Sequence, residues 1–146
     1  MLEDLLAHAQ VWVPQATRAL VSQGLPAADC GLLAVWIEQV DAGPGAIKTA
    51  CSVEPRALFH VTYYGCTPVL DAQGNPPPAD AITENALDFA DAGEAIWYGI
   101  INDLRNGGDL WTDFRCSNID LTRGMRVITP LGGLAGWDAS IIVTLT

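Results

Sequence analysis

Between the three prolines Pro76, Pro77 and Pro78 and the pair Gly107-Gly108 lies the stretch that most constrains how this chain can fold. From Ala79 to Asn106, Ile82, Ala86, Phe89, Gly93, Ile96, Trp97, Ile100 and Leu104 fall on one stripe at helical spacing, the pattern of an amphipathic helix. Asp80, Glu84, Asp88, Asp91 and Glu94 crowd its first half, near the positive end of the helix dipole, and Arg105 sits in its last turn, where a cation suits the negative end. Asn106-Gly107-Gly108 supplies the C-terminal stop. At 1.5 Å per residue the rod is roughly 40 Å long. That is long for a chain of 146 residues, so the helix must lie across something. Gly93 and Gly99 interrupt it, each at about 1 kcal/mol relative to Ala. They point to close approach of a strand or of a neighbouring subunit.

The flanking sequence supplies a sheet. Arg56 to Cys66 alternates, with Phe59, Val61 and Tyr63 on one face and Leu58, His60, Thr62, Tyr64 and Cys66 on the other. Both faces carry bulk, which predicts a central strand covered on both sides. Trp137 to Thr146 alternates too: Trp137, Ala139, Ile141, Val143 and Leu145 point one way, Asp138, Ser140 and Thr144 the other, and Ile142 is the apolar exception on the polar side. Leu32 to Val40, Leu110 to Cys116 and Met125 to Thr129 read as further strands, and Ala46 to Val53 as a short strand or extended loop. Leu2 to Gln23 reads as a helix kinked or broken at Pro14, ended by Gly24-Leu25-Pro26. Pro130 to Gly136 reads as a turn into the last strand. The expected fold is a single α+β domain over residues 1–146. An antiparallel or mixed sheet of four to six strands carries one long helix across it, with a helical segment over 2–23 and a sheet-and-helix body over 32–146.

Composition narrows the function classes. Only 16% of residues are charged although half are apolar, and there are five Trp. A charge fraction below the usual ~25%, with many large apolar groups, suggests that part of the surface is buried in another subunit. Seven basic residues against a net charge of −10 do not provide the clustered cations that grip a nucleic acid backbone. The acidity serves solubility, or a channel through which DNA slides without being held. No apolar run approaches the ~20 residues of a membrane span. The acidic start, Met1-Leu2-Glu3-Asp4-Leu5, is unlike a secretory leader. The expectation is therefore a cytoplasmic product with Cys30, Cys51, Cys66 and Cys116 as reduced thiols. A Cys66–Cys116 approach is the pairing considered beside it.

Chemical motifs are few. His8 and His60 read as hydrogen-bonded structural histidines. No C-x-x-C, H-x-x-x-H or G-x-S-x-G is present. The Gly132-Gly133-Leu134-Ala135-Gly136 run leads into a strand and not a helix, so it is a turn and not a phosphate cradle. The expectation is no catalytic residue, no cofactor and no metal. Two features invite contact with other molecules. One is the stiff loop Asp71–Pro78, with Asp71, Asn75, Pro76, Pro77 and Pro78. The other is the basic group Arg115, Arg123 and Arg126, read either as surface pairs with Asp113 and Asp120 or as a contact with a neighbour's acidic face.

The order of elements, together with Arg56-Ala57-Leu58-Phe59-His60-Val61-Thr62-Tyr63-Tyr64-Gly65-Cys66-Thr67-Pro68, Trp97-Tyr98 and Pro130-Leu131-Gly132-Gly133-Leu134-Ala135-Gly136-Trp137-Asp138, resembles the tail terminator proteins of long-tailed bacteriophages over Leu32 to Thr146. The resemblance implies a structural virion protein, assembled in the host cytoplasm and located at the top of the tail. It implies a homohexameric ring that caps the tail tube and contacts the tail tube protein and the head–tail connector. Genomic DNA would pass through the lumen without specific binding, with no membrane and no enzymatic activity. Head-closure and tail-completion proteins of the phage neck are the near alternatives. A small cytosolic α+β ligand-binding domain or enzyme, or a monomeric adaptor or inhibitor, are the alternatives from other classes.

Overall fold

The computed structural model describes residues 1–41, 55–105 and 116–145. Its elements in chain order are α1 (Leu2–Trp12), β1 (Arg18–Ser22), β2 (Leu32–Asp41), β3 (Arg56–Cys66), α2 (Ala79–Arg105), β4 (Cys116–Asp120), β5 (Met125–Leu131) and β6 (Leu134–Leu145). The described residues form one six-stranded mixed sheet in the order β1-β2-β3-β6-β4, with β5 also paired to β6. Both helices pack on one face. The fold is thus the expected α+β arrangement.

The core follows from the alternation. Leu33 and Val35 on β2, Ala57, Phe59, Val61 and Tyr63 on β3, and Ala139, Ile141 and Val143 on β6 share one face, against Leu5, Ala9 and Val13 from the α1 end and Ala92, Ile96 and Ile100 from α2. Ile96 and Ile100 are fully buried, each contributing about 1.5–3 kcal/mol by removal from water. β3 is central, between β2 and β6, and every residue from Ala57 to Gly65 is buried, as its two bulky faces require. The glycines inside α2 mark close approaches. A Cβ at Gly93 would fall on the Trp137 ring of β6, and one at Gly99 on the Trp12 ring of α1. The first neighbour is a strand, as expected; the second is a helix of the same chain.

Three expectations need correction. The first helix does not reach Gln23. Val13 donates the last helical bond, to Ala9, and Pro14 has no N–H to extend the ladder. The chain then satisfies its backbone by pairing β1 parallel to β2, Arg18 opposite Leu32 and Ser22 opposite Trp36. The last strand starts earlier than read: only Gly132 and Gly133 form the turn, both with positive φ, and Leu134-Ala135-Gly136 already pair with Cys66-Gly65-Tyr64. A strand also occupies Cys116–Asp120, just past where one was read; the segments Ala46 to Val53 and Leu110 to Arg115 lie outside the described residues.

The cysteines also depart from expectation. Cys30 and Cys66 form a disulfide with Cα atoms 5.0 Å apart, inside the range such a bond spans. The neighbouring Gly31 N–H donates to the Tyr64 carbonyl at 2.8 Å, which holds the start of β2 beside the end of β3. Cys66 and Cys116 cannot approach: Cys66 pairs with Leu134 and Cys116 with Leu145, at opposite ends of β6, roughly 35 Å apart at strand rise. Alkylation of denatured, unreduced protein is therefore expected to leave Cys30 and Cys66 unlabelled and, after reduction, to label both. Labelling of either without reductant would contradict the bond.

Candidate functional site

The helical stripe is longer than the surface the fold gives it to cover. From Phe89 to Ile100 its residues pack on the sheet and α1, but Ile82 remains 48% exposed and Ala86 is also open. The uncovered end combines with Pro68, Val69 and Leu70 after β3, with Pro77, and with Gly132-Gly133 at the β5–β6 turn to line an apolar groove of about 840 Å³. Val69 and Leu70 are about three-fifths exposed. The Thr67 N–H donates to the Gly133 carbonyl at 2.7 Å, so the strand exit and the turn are fixed relative to one another. Such a contiguous apolar surface is the kind that marks an interaction site.

One wall of the groove comes from the proline-rich loop, and the loop is internally tied. Asp71 Oδ1 accepts the Gln73 and Asn75 N–H groups at 2.9 and 2.8 Å, and its Oδ2 accepts the Asn75 side-chain amide at 2.9 Å. The Asp71 N–H returns to the Asn75 carbonyl at 3.0 Å. The Asn75 side chain and then its N–H hold the Asp71 carboxyl below its ordinary range. Asp71 and Asn75 thus shape the turn, and Pro76, Pro77 and Pro78 carry it stiffly to the start of α2. Asp71 and Asn75 are thus committed within the loop, and Pro77 faces the groove.

Arg123 and Arg126 do not join them there. Arg115 lies outside the described residues. Arg126 Nε donates to Asp138 Oδ2 at 3.0 Å, and Arg123 lies 3.7 Å from Glu38. Of the two acidic partners read from the sequence, Asp120 faces Arg56 instead, at 3.9 Å, and Asp113 lies outside the described residues. Most of each guanidinium side chain still meets solvent, Arg126 being 70% exposed.

What these arginines reach is a polar belt on the sheet face away from the helices. Register places His60 opposite Ser140 and Thr62 opposite Asp138, so the polar side of β6 meets the His60 side of β3. His60 Nδ1 lies 3.0 Å from Asp138 and its Nε2 2.7 Å from Glu38. Glu38 is the extra residue of a bulge between Ile37 and Gln39. Trp36 stacks on the imidazole at 4.1 Å and donates to Thr62 Oγ1, which donates on to Asp138 at 2.8 Å. Burial pushes the Asp138 carboxyl up, but the hydrogen bond and charge of His60, the Thr62 hydroxyl and Arg126 outweigh it and hold the group below its ordinary range. Ser140 Oγ is 3.4 Å from Nδ1, the nitrogen already on Asp138. Both ring nitrogens are thus occupied by carboxylate partners. His60 is a hydrogen-bonded histidine, as read, and so is His8, whose Nδ1 lies 3.0 Å from Asp103 across α1 and α2.

No known family model and no curated protein matches this chain. Among the described residues no group of three or more His, Cys, Asp or Glu could hold a metal ion, and no described helix is long and apolar enough to cross a membrane. The groove was half legible in the sequence, through the length of the stripe. The belt is not legible in either strand alone, because only the β3–β6 register joins their polar faces.

Proposed function

We propose that this chain is the subunit of a closed ring, six copies in number, that caps the tail tube of a long-tailed bacteriophage and joins it to the head connector. The observation that carries the reading is the unfinished apolar stripe. The sequence encodes more hydrophobic helix than its own sheet buries, and the surplus opens onto a groove walled by a pre-ordered loop. Docking a loop already held by Asp71 costs little ordering entropy, and a ring joins unlike surfaces head to tail around its axis. The α+β architecture agrees with the resemblance over β2 to β6. A net charge of −10 suits a lumen that lets DNA pass without holding it, and the tail tube protein and the connector are the partners on the two ring faces.

The groove gives the test at the level of residues. Reversing Arg126 would strike the fold through Asp138, so it is a poor probe of assembly, and Arg123 reaches only Glu38. Ile82→Asp together with Leu70→Asp touches exposed groove residues and is expected to leave the Tm within a few degrees of the parent, since exposed changes fall within about 0.5 kcal/mol each. Assembly should be lost. In a lysate of a phage carrying a nonsense mutation in this gene, electron microscopy is expected to find DNA-filled heads and unjoined tails, some of abnormal length. Normal joined virions in that lysate would remove the neck assignment.

A further inference from the structure

Beside the apolar groove, and separate from it in character, lies a pocket of about 410 Å³ whose walls include Gln15, Tyr63, Asn85, Asp88, Phe89 and Asp91. Asp88 and Asp91 stand one helical turn apart on α2, and neither has a basic partner among the described residues. Asn85 has already committed its amide nitrogen to the Cys66 carbonyl at 2.7 Å, which leaves its side-chain oxygen to accept. Tyr63 reaches from β3 to the pocket, is only 7% exposed, and its hydroxyl has no hydrogen-bond partner among the described residues. A buried hydroxyl without a partner is costly and unusual. This one lies 3.9 Å from where a Cβ on Gly65, which also lines the pocket, would stand.

We infer that this pocket binds an organic cation of the alkylguanidinium or alkylammonium class. The walls are rich in acceptors: two carboxylates, an amide oxygen and the phenol oxygen. Guanidinium and ammonium groups are donor-only, and a guanidinium fork can bridge two carboxylates. The Phe89 and Tyr63 rings add apolar and cation–π surface for the alkyl stem and the charge. A metal ion fits less well, because the pocket offers two carboxylates and aromatic walls and not a full shell of oxygens. Burial and the charge of Asp88 push the Tyr63 hydroxyl above its ordinary range, so it stays protonated, and its oxygen is left to accept from the ligand. The inference does not depend on the ring: the cation is either an Arg or Lys side chain of another protein, a second copy included, or a free small molecule.

The test is calorimetric titration of the full chain with agmatine, with neutral N-butylurea as the shape control. Two peptides, Ac-Leu-Arg-Leu-NH2 and Ac-Leu-Gln-Leu-NH2, form the second arm. Agmatine or the Arg peptide is expected to saturate one site, and the neutral probes are not. Asp88→Asn with Asp91→Asn should weaken that binding about tenfold or more. Both positions are exposed, so the variant keeps its fold. Gly65→Ala, whose added methyl would make ordinary contacts of 3.7 Å with Tyr63 and Phe89, should weaken it by narrowing the pocket. Tighter binding of the Arg peptide than of agmatine assigns the cation to a protein side chain, and the reverse assigns it to a small molecule. No saturable binding of either cation, equal binding of butylurea, or binding unchanged in the double amide variant would overturn the inference.

Discussion

Asp138→Ala is expected to cost about 3–5 kcal/mol, the usual penalty for removing one partner of a buried ion pair, and to lower the Tm by on the order of 10 °C. Asp138 is fully buried, and the substitution strands His60, the Thr62 hydroxyl and the Arg126 Nε together. The same carboxylate sets an acid limb. Its folded value is depressed below the ordinary 3.8, so its contribution is complete above that value and is lost as pH falls through the lowered folded one. Urea unfolding of parent and variant between pH 7 and pH 2 checks both effects: the gap between the two should be widest near neutrality and close toward the acid end. Equal stability at pH 7 would mean that the belt contributes nothing.

Gly93→Ala is expected to destabilise by about 2–3 kcal/mol, although helix propensity alone predicts a gain of about 1 kcal/mol. The opposing signs make this informative. The added methyl would occupy the space of the Trp137 ring. That ring is held to the same helix one turn earlier, since its Nε1 donates to the Phe89 carbonyl at 2.7 Å and its face stacks on Phe89 at 5.0 Å. It cannot move without breaking both, or without lifting α2 from β6. A variant with a higher unfolding midpoint than the parent would show that helix and strand are not in contact there.

These two sites also mark what a single sequence could disclose. Gly93 was legible as a close approach because a glycine in the middle of a strong stripe has no local benefit. β3 was legible to the residue, since alternation with bulk on both faces admits little but a central strand. The first twenty-odd residues misled because leucines and alanines at spacings of three and four continue past Pro14; the pairing of Arg18–Ser22 with β2 is a long-range gain that periodicity does not carry. The belt escaped for a related reason. Glu38 and Asp138 are 22 and 78 residues from His60 along the chain, and their meeting depends on one strand register and one bulge. The groove was only half legible because the stripe, read alone, is visibly long but gives no sign of where the sheet beneath it ends.

The account turns on whether copies of this chain close into a ring. Negative-stain imaging of the purified protein, with and without polymerised tail tube protein, measures that directly. The prediction is a six-fold ring of 15.5 kDa subunits, about 93 kDa in all, lost in the Ile82→Asp/Leu70→Asp variant. Monomers under both conditions, or rings of another order, would contradict it.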